Sequence, residues 1–455
     1  MNTAKESTSL ALGTENINKL LSQYAIPAII AMVATSLYNV TDSIFIGHGV
    51  GALALSGLAI TFPIMNLAVA FGSLLGLGAA ALLSLRLGQK DYISANYILG
   101  NVFILNIIIG LLFSITALIF LDPILFFFGA SNQTLPYAHD FMIIILAGNV
   151  ITNTSMGFNS ILRSVGHPQK AMYAAIVTTI INLVLNSLFI FKFGWGMQGS
   201  ASAIVISQIV LLVWQILFFS SSKNLVHFKK GIFHLKKEII NGIFSIGMAP
   251  FLFHVTVCVI ATLINKQLSF YGGSIAVGAY GIVSRVLFFF VVIIFGLNQG
   301  MQPIVGYNYG TALYGRAAEV LKKTIIVAVV VMLFGFIFVE LFPRLVVSAF
   351  TSEKNLIDVT VRGLRYVFMF LPLVGFQMVV TTFFQSIGVA HKSIFLSLTR
   401  QVLFLIPLLI ILPKFMNNIL GVWISMPISD LIAFFVAVLM LAVHWRKRIF
   451  SFKNL

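Results

Sequence analysis

The chain contains about twelve apolar stretches, each long enough to cross the ~30 Å hydrocarbon core of a membrane as a helix of roughly 20 residues. With 59% hydrophobic and only 9% charged residues, it cannot hide this apolar surface inside a water-soluble core. Stretches of this length also exclude an outer-membrane barrel, whose strands need about ten residues each. The sequence therefore predicts an all-α polytopic membrane protein with twelve transmembrane helices.

The predicted helices form two sets of six, separated by a polar and basic segment. The first set comprises 18–46, 52–83, 94–121, 136–163, 168–192 and 197–221, and the second comprises 239–268, 274–306, 316–342, 358–386, 391–413 and 418–444. This division predicts an N-lobe at 1–221, a cytoplasmic linker at 222–238, a C-lobe at 239–444 and a basic cytoplasmic tail at 445–455.

The two halves repeat one another at a constant shift along the chain. At this repeat shift glycines coincide with glycines at several helix ends: Gly51 with Gly273, Gly78 with Gly300, Gly88 with Gly310 and Gly166 with Gly388. Residues that the shift superposes are called repeat mates below. Because each half has an even number of helices, both halves have the same orientation, which predicts a pseudo-two-fold axis along the membrane normal. Two such lobes can rock about a central cleft, and alternating access is then available.

The formal net charge of +16 would suggest a nucleic-acid partner in a soluble protein. Here the basic residues are instead distributed according to the predicted membrane topology. With the N-terminus placed in the cytoplasm, most Lys and Arg residues fall on cytoplasmic segments, as the positive-inside rule requires. This predicts a multi-pass protein of the bacterial cytoplasmic (inner) membrane with both termini cytoplasmic and no nucleic-acid partner. In this interpretation Arg285 is the one basic residue inside a helix.

Charged residues inside the predicted helices are the first functional candidates, because each costs at least ~2.5 kcal/mol to insert. Asp42 follows Tyr38 and Asn39 on one face of the first helix. A carboxyl partly removed from water resists ionisation, so it can exchange a proton or bind a cation. The alternative is a carboxylate that lies near the headgroups or caps a helix. Arg285 and Asp430 are the other candidates, and we expect Arg285 to be held by a carboxylate, backbone carbonyls or water.

Polar residues at four-residue spacing form stripes on otherwise apolar helices. Thr178, Asn182 and Asn186 form one stripe, Asn149 and Asn153 form a second, and Ser200, Ser202 and Ser207 could also face inward. Such stripes either line a cavity or join helices by hydrogen bonds. In the first helix, Pro27 removes one backbone hydrogen bond, which predicts a kink or hinge there.

Enzyme motifs are nearly absent from the sequence. It contains no zinc-binding spacing of His and Glu, no P-loop, no nucleophile elbow and only one cysteine, so neither an enzyme nor a bound cofactor is expected. The 43 Phe and 15 Met residues would suit an apolar binding cavity whose side chains can repack around different ligands.

Three segments resemble those of a known family. They are Leu37–Ser43 in the first helix, Gln302–Gly310 at the end of the eighth, and Leu162–Pro168 after the fourth, the last echoed by Gln385–Gly388. Over nearly its whole length the chain resembles bacterial transporters of the multidrug and toxic compound extrusion (MATE) family, in particular its MepA-like branch.

The resemblance implies roles for individual residues. Asp42 would be the cation-coupling carboxylate, accompanied by Asn39, Asn182 and Asn186, and Pro27 would be the hinge proline of the first helix. In the family the position of Asn186 is often a second aspartate, so sodium would bind here to Asp42 and neutral oxygens, or Asp42 would simply be protonated. The residues proposed for the substrate cavity are Tyr38, Asn149, Asn153, Thr178, Arg285, Gln377 and Asp430.

The expected function is therefore antiport: export of hydrophobic, often cationic compounds in exchange for protons or sodium. Its expected partners are small-molecule drugs or toxins and membrane lipids, and the expected state is a monomer. A flippase for lipid-linked oligosaccharides or lipids is the alternative within transport, although such cavities usually carry several basic residues. A membrane-embedded enzyme is the alternative from another class.

Overall fold

A computed structural model describes residues 11–453, with side chains through Arg446. The first ten residues of the predicted N-lobe and the last two of the predicted tail lie outside the described residues. Within 11–453 every regular element is a helix. In chain order these are α1 (Ile17–Gly49), α2 (Ala52–Gly88), α3 (Tyr92–Ile119), α4 (Leu121–Phe127), α5 (Leu135–Ala147), α6 (Asn149–Ser164), α7 (Pro168–Ser187), α8 (Gly196–Ser220), α9 (Lys237–Gly310), α10 (Tyr314–Leu341), α11 (Pro343–Ser348), α12 (Lys354–Phe368), α13 (Leu371–Ser386), α14 (Ala390–Leu398), α15 (Ile406–Met416) and α16 (Leu420–Lys453). Two π-helical segments, Leu188–Lys192 and Thr399–Leu405, follow α7 and α14.

Helix α9 contains two membrane spans. At about 1.5 Å per residue, its 74 residues would extend about 110 Å if straight, several times the thickness of a bilayer. The backbone leaves the helical conformation at Gly273 (φ 66°, ψ −165°), a positive φ that glycine adopts without steric cost. With α9 counted twice, and with each bent pair counted once, the described residues contain the twelve predicted spans.

Two of those spans are not the continuous helices that we predicted. The expected helix 136–163 is broken at Gly148 into α5 and α6, which bend by 55°, and the expected helix 358–386 is α12 and α13, bent by 47°. Hydropathy could not reveal these bends, because each bent pair still passes as one apolar span. The structure also adds the short helices α4 and α11 before the bent pairs.

Local geometry repeats between the two halves at the repeat shift. Gly51 and Gly273 both have positive φ (116° and 66°), as do Gly166 and Gly388 (93° and 75°). The non-glycine mates Lys90 and Ala312 share a φ of 59°. Helices α4 and α11 also begin at a pair of repeat mates, Leu121 and Pro343. The duplication therefore extends from the sequence to turn conformation and to the order of short and bent helices, giving an N-lobe (α1–α8) and a C-lobe (α9–α16).

The two lobes pack backbone to backbone at the end of the bundle where α2 ends, which we call the Gly88 end. A Cβ on Gly88 would lie 3.0 Å from Cα of Gly310, its repeat mate, and a Cβ on Gly310 would lie 3.1 Å from Cα of Gly88. Contact between repeat mates occurs next to a two-fold axis, so the axis passes close to this pair. Such close approach is available only to small residues.

The hydrophobic core is joined across the lobes at the Gly88 end and divided at the other end. One buried cluster includes N-lobe residues such as Leu20 and Leu83 together with C-lobe residues such as Ile304 and Phe383. A second cluster, around Phe141, contains N-lobe residues alone, at the end where α1 meets α2. This distribution indicates that the lobes are closed against each other at the Gly88 end and separated toward the opposite end.

Candidate functional site

Asp42 lies inside the N-lobe, where α1 packs against α7 and α8. The residue is only 5% exposed. Its Oδ1 accepts a hydrogen bond of 2.5 Å from Ser200 Oγ on α8 and another from Asn186 Nδ2 on α7. Asn186 and Ser200, which follow Asp42 by 144 and 158 positions in the chain, therefore converge on one of its carboxylate oxygens.

The polar stripe of α7 is buried as a unit. Thr178, Asn182 and Asn186 are 8%, 2% and 0% exposed, whereas Ile180 and Val184 between them are 55% and 54% exposed. The four-residue spacing thus places the amides toward the lobe interior and the branched apolar side chains outside. Asn186 contacts Asp42 directly, and Thr178 Oγ1 donates to the carbonyl of Ala174 within its own helix.

Three buried amide atoms of this stripe have no hydrogen-bond partner among the described residues. They are Oδ1 and Nδ2 of Asn182 and Oδ1 of Asn186. An unsatisfied buried polar atom costs about 1–3 kcal/mol, so such atoms point to an ion or water as their partner. A hard cation such as Na⁺ prefers oxygen ligands of the kind present on Asp42, Asn182, Asn186 and Ser200. The single carboxylate could instead carry a proton. These groups therefore suit either Na⁺ or a proton.

Three other residues of α1 were predicted to have a role: Asn39 in this site, Tyr38 in the substrate cavity and Pro27 as the hinge. Asn39 is exposed, and its Nδ2 donates to the carbonyl of Thr35 over 3.0 Å. Tyr38 is half-buried against the N-lobe core around Phe141. Pro27 is buried within α1, which runs through it without a break.

The second polar stripe joins helices. Asn149 Nδ2 on α6 donates to Ser114 Oγ on α3 over 3.3 Å, and Asn153 Nδ2 donates to Asn149 Oδ1 over 3.2 Å. Neither amide bonds to Asp42. Their hydrogen bonds connect the bent span to α3.

In the C-lobe, Asp430 forms an ion pair that the sequence analysis missed. Arg400 Nε lies 2.6 Å from Asp430 Oδ1. The interpretation of Arg285 as the one basic residue inside a helix was therefore wrong, because Arg400 lies within the span Ala390–Met416. A signal was present in the sequence, since Arg400 stands near the middle of the predicted helix 391–413.

Arg285 and Gln377 do not join this ion pair. Gln377 Nε2 donates to the carbonyl of Leu396 over 3.0 Å. Arg285 is exposed, and within the described residues it has neither a carboxylate nor a backbone carbonyl as a partner. Contact of Arg285 with water stays a prediction.

Comparison with known proteins gives consistent matches. The MatE family model matches residues 27–188 and again 250–411, two matches that fall on equivalent parts of the two halves. The multidrug export protein MepA of Staphylococcus haemolyticus is 26% identical over 424 residues, which cover 93% of this chain and 92% of the relative.

Solved structures agree over the whole fold. An outward-facing multidrug resistance MATE family transporter of the MOP superfamily has a TM-score of 0.90 at 26% identity, covering 97% of this chain and 98% of that one. The MATE multidrug transporter DinF-BH has a TM-score of 0.88 at 34% identity, covering 94% of this chain and 96% of that one.

Proposed function

The chain belongs to the MatE family of membrane transporters, and on that premise we propose that it exports hydrophobic, often cationic compounds in exchange for protons or sodium. Multidrug efflux is the activity named for its relatives. The exchange with an ion is our proposal, with Asp42 as the coupling carboxylate.

The observation that carries this proposal is the environment of Asp42. Ser200 and Asn186 donate hydrogen bonds to the carboxylate, while unpartnered amide atoms of Asn182 and Asn186 lie in the same lobe on the stripe that contacts it. A proton would neutralise Asp42 and turn it into a donor, and Na⁺ would bring carboxylate, hydroxyl and amide oxygens around itself. Either event changes the hydrogen bonds that join α1 to α7 and α8.

Coupling follows if the lobe conformation changes the affinity of this site for the ion. An ion that binds both conformations with equal affinity does not change the equilibrium between them. An ion that binds one conformation more tightly favours that conformation, so an ion gradient can drive the change between the two. Because Asp42 lies at the junction of three helices, rearranging that junction alters its donors. We therefore assign the switch to the N-lobe.

Replacing Asp42 by Asn tests the proposal, since it preserves shape but removes ionisation. We expect Asp42→Asn to abolish uphill efflux of a cationic dye from proteoliposomes while dye binding persists. The gradients of sodium and of pH should be imposed separately, so that the wild-type response identifies the ion.

The matched control is Asp122→Asn, which removes an exposed carboxylate outside the site. This control should transport at the wild-type rate. Full gradient-driven efflux by the Asp42 variant would contradict the assignment of coupling to the N-lobe.

We further propose that the chain resides in the bacterial inner membrane as a monomer, with both termini in the cytoplasm. The supporting pattern is the basic linker between α8 and α9, since cytoplasmic loops are enriched in Lys and Arg.

A further inference from the structure

The basic linker between α8 and α9 is hydrogen-bonded to the first turns of α3. Asn101 is buried, and it donates through Nδ2 to the carbonyl of His234 over 3.0 Å and accepts at Oδ1 from the backbone amide of Lys236 over 2.9 Å. Nearer the start of α3, Asn96 Oδ1 accepts from the backbone amide of His227 over 2.9 Å. Two asparagines of one helix therefore hold the linker at two separate points.

Apolar packing holds the same segment. A Cβ on Gly100 of α3 would overlap the carbonyl of Ile232, so the linker backbone lies directly against the helix. The side chains of Val226 and Ile232 are buried. The ring centroid of Phe228 lies 6.1 Å from that of Phe103 on α3. The linker is therefore folded onto the N-lobe, and the residues between its anchors have defined positions.

The docked linker and α3 enclose a groove of about 360 Å³, which we call the linker groove. Its lysines, Lys229 and Lys230, are exposed, and neither pairs with a carboxylate among the described residues. The described residues that line the groove include no Asp or Glu. Asp91, next to the lining residue Tyr92, is paired with Arg86 at 3.7 Å. Within the described residues the positive charge of the groove is therefore uncompensated.

The linker groove lies at a membrane surface, because three spans begin or end beside it. Helix α8 ends at Ser220, α9 begins at Lys237 and α3 begins at Tyr92. Apolar side chains are exposed next to the lysines: Ile93, which lines the groove, is 72% exposed, and Phe233 of the linker is 41% exposed. Basic and apolar side chains placed together are typical of segments that lie among lipid headgroups. A soluble anion would use the lysines alone, whereas a phospholipid uses both kinds of side chain.

We propose that the linker groove binds one anionic phospholipid, whose phosphate pairs with Lys229 and Lys230 and whose acyl chains lie along Ile93. Basic pockets beside membrane helices are suited to such headgroups, since the charges attract and the apolar rim admits the chains. The lipid is a ligand distinct from any exported compound. Its site lies on the outside of the N-lobe and involves neither Asp42 nor the polar stripe of α7.

Native mass spectrometry of the purified full-length transporter, titrated with one lipid at a time, gives an apparent Kd for the first lipid bound. Phosphatidylglycerol and phosphatidylcholine both have a phosphate and two acyl chains, but only phosphatidylglycerol has a net negative charge. We expect the wild type to bind phosphatidylglycerol about tenfold more tightly than phosphatidylcholine. The double variant Lys229→Gln/Lys230→Gln should lose about this tenfold preference.

The matched control is Lys223→Gln/Lys237→Gln. It removes two exposed lysines from the same predicted linker, 222–238, but neither residue lines the groove. The net charge of the protein changes equally in the two double variants, so a difference between them reports the groove and not general surface charge. The control should bind phosphatidylglycerol as the wild type does. Glycerol 3-phosphate, which has the phosphate without acyl chains, should not displace the lipid at an equal concentration.

Equal losses in the two double variants would overturn the inference, because general surface charge would then explain the preference. It would also be overturned by an unchanged preference in Lys229→Gln/Lys230→Gln, or by equal affinities of the wild type for the two lipids. Displacement by glycerol 3-phosphate at an equal concentration would replace the lipid with a soluble phosphate as the ligand. Since no efflux is measured, each of these outcomes leaves the proposed function intact.

Discussion

Asn186 contributes a neutral amide at a position where, by the resemblance to the family, a second aspartate is often found. Its Nδ2 donates to Asp42 and its buried Oδ1 has no partner among the described residues. A single carboxylate with neutral oxygens binds a cation less tightly than a pair of carboxylates, because each added negative charge strengthens the attraction. In the proposed site, the identity of residue 186 would therefore set the balance between binding of a proton and binding of sodium.

We expect Asn186→Asp to raise the affinity of the site for sodium, by about tenfold, and to make efflux more dependent on a sodium gradient. Two adjacent carboxylates repel each other unless a cation lies between them, which is the physical reason. Isothermal titration with sodium chloride measures the affinity. Asn149→Asp is the control, because Asn149 is also buried but bonds to Ser114 on α3. An equal gain in both variants would contradict the assignment.

His167, in the turn between α6 and α7, carries a pH dependence that is independent of transport. Burial and the positive charge of Lys170 lower its pKa from 6.5 to about 4. Between these values the unfolded chain binds a proton that the folded chain does not, so stability falls as pH drops from 6.5 toward 4. Melting temperatures of the wild type should fall more steeply over this range than those of His167→Gln. Parallel curves would show that another group is responsible.

Among the elements, α2 and α9 decide how the lobes close, because glycines on both helices allow backbone contact. A Cβ on Gly78 would overlap the carbonyl of Ile243 and lie 3.1 Å from Cα of Gly247. A Cβ on Gly300, the repeat mate of Gly78, would lie 2.5 Å from Cα of Ala25, and Ala25 is the repeat mate of Gly247. The two contacts are therefore symmetric, and closure at the Gly88 end depends on this paired helix packing.

Gly300→Ala should separate the lobes at this end. A penalty of about 1 kcal/mol is enough to raise the population of the separated state about fivefold. The change can be followed as faster maleimide labelling of a cysteine introduced at Ser84, which packs against Gly306 across the interface. Gly281→Ala is the matched control, because its Cβ would meet nothing within 4 Å. Equal labelling in both variants would mean that the glycine contacts do not hold the lobes together.

For the whole molecule, orientation in the membrane is the property that the basic linker predicts. The native cysteine is first replaced by Cys258→Ser, and a single cysteine is then introduced at Lys230 or at Asn132. Serine retains an acceptor for Asn66 Nδ2, which lies 3.0 Å from the sulfur of Cys258 in the wild type. A membrane-impermeant maleimide should label intact cells at position 132, and position 230 only after permeabilisation. The reverse pattern would invert the proposed topology.

Much of this architecture was predictable from the sequence by itself. Twelve apolar stretches of roughly 20 residues required a helical membrane protein, because only helices and closed barrels satisfy the backbone in the hydrocarbon core and the strands of a barrel are about half as long. Glycines recurring at a constant shift predicted two like lobes, and Asp42 stood out because a charge in a membrane helix is costly. The stripe of Thr178, Asn182 and Asn186 followed from helical periodicity alone.

Only the tertiary structure decided which of these groups meet. Ser200 on α8 joins Asp42 on α1, Asn39 turns back to its own helix, and Arg400 pairs with Asp430 although it had been overlooked. Periodicity along one helix determines which face a side chain occupies, but not which other helix lies against that face. That choice comes from the packing of all twelve spans at once, which closes the lobes at the Gly88 end and brings the polar partners of Asp42 together inside one of them.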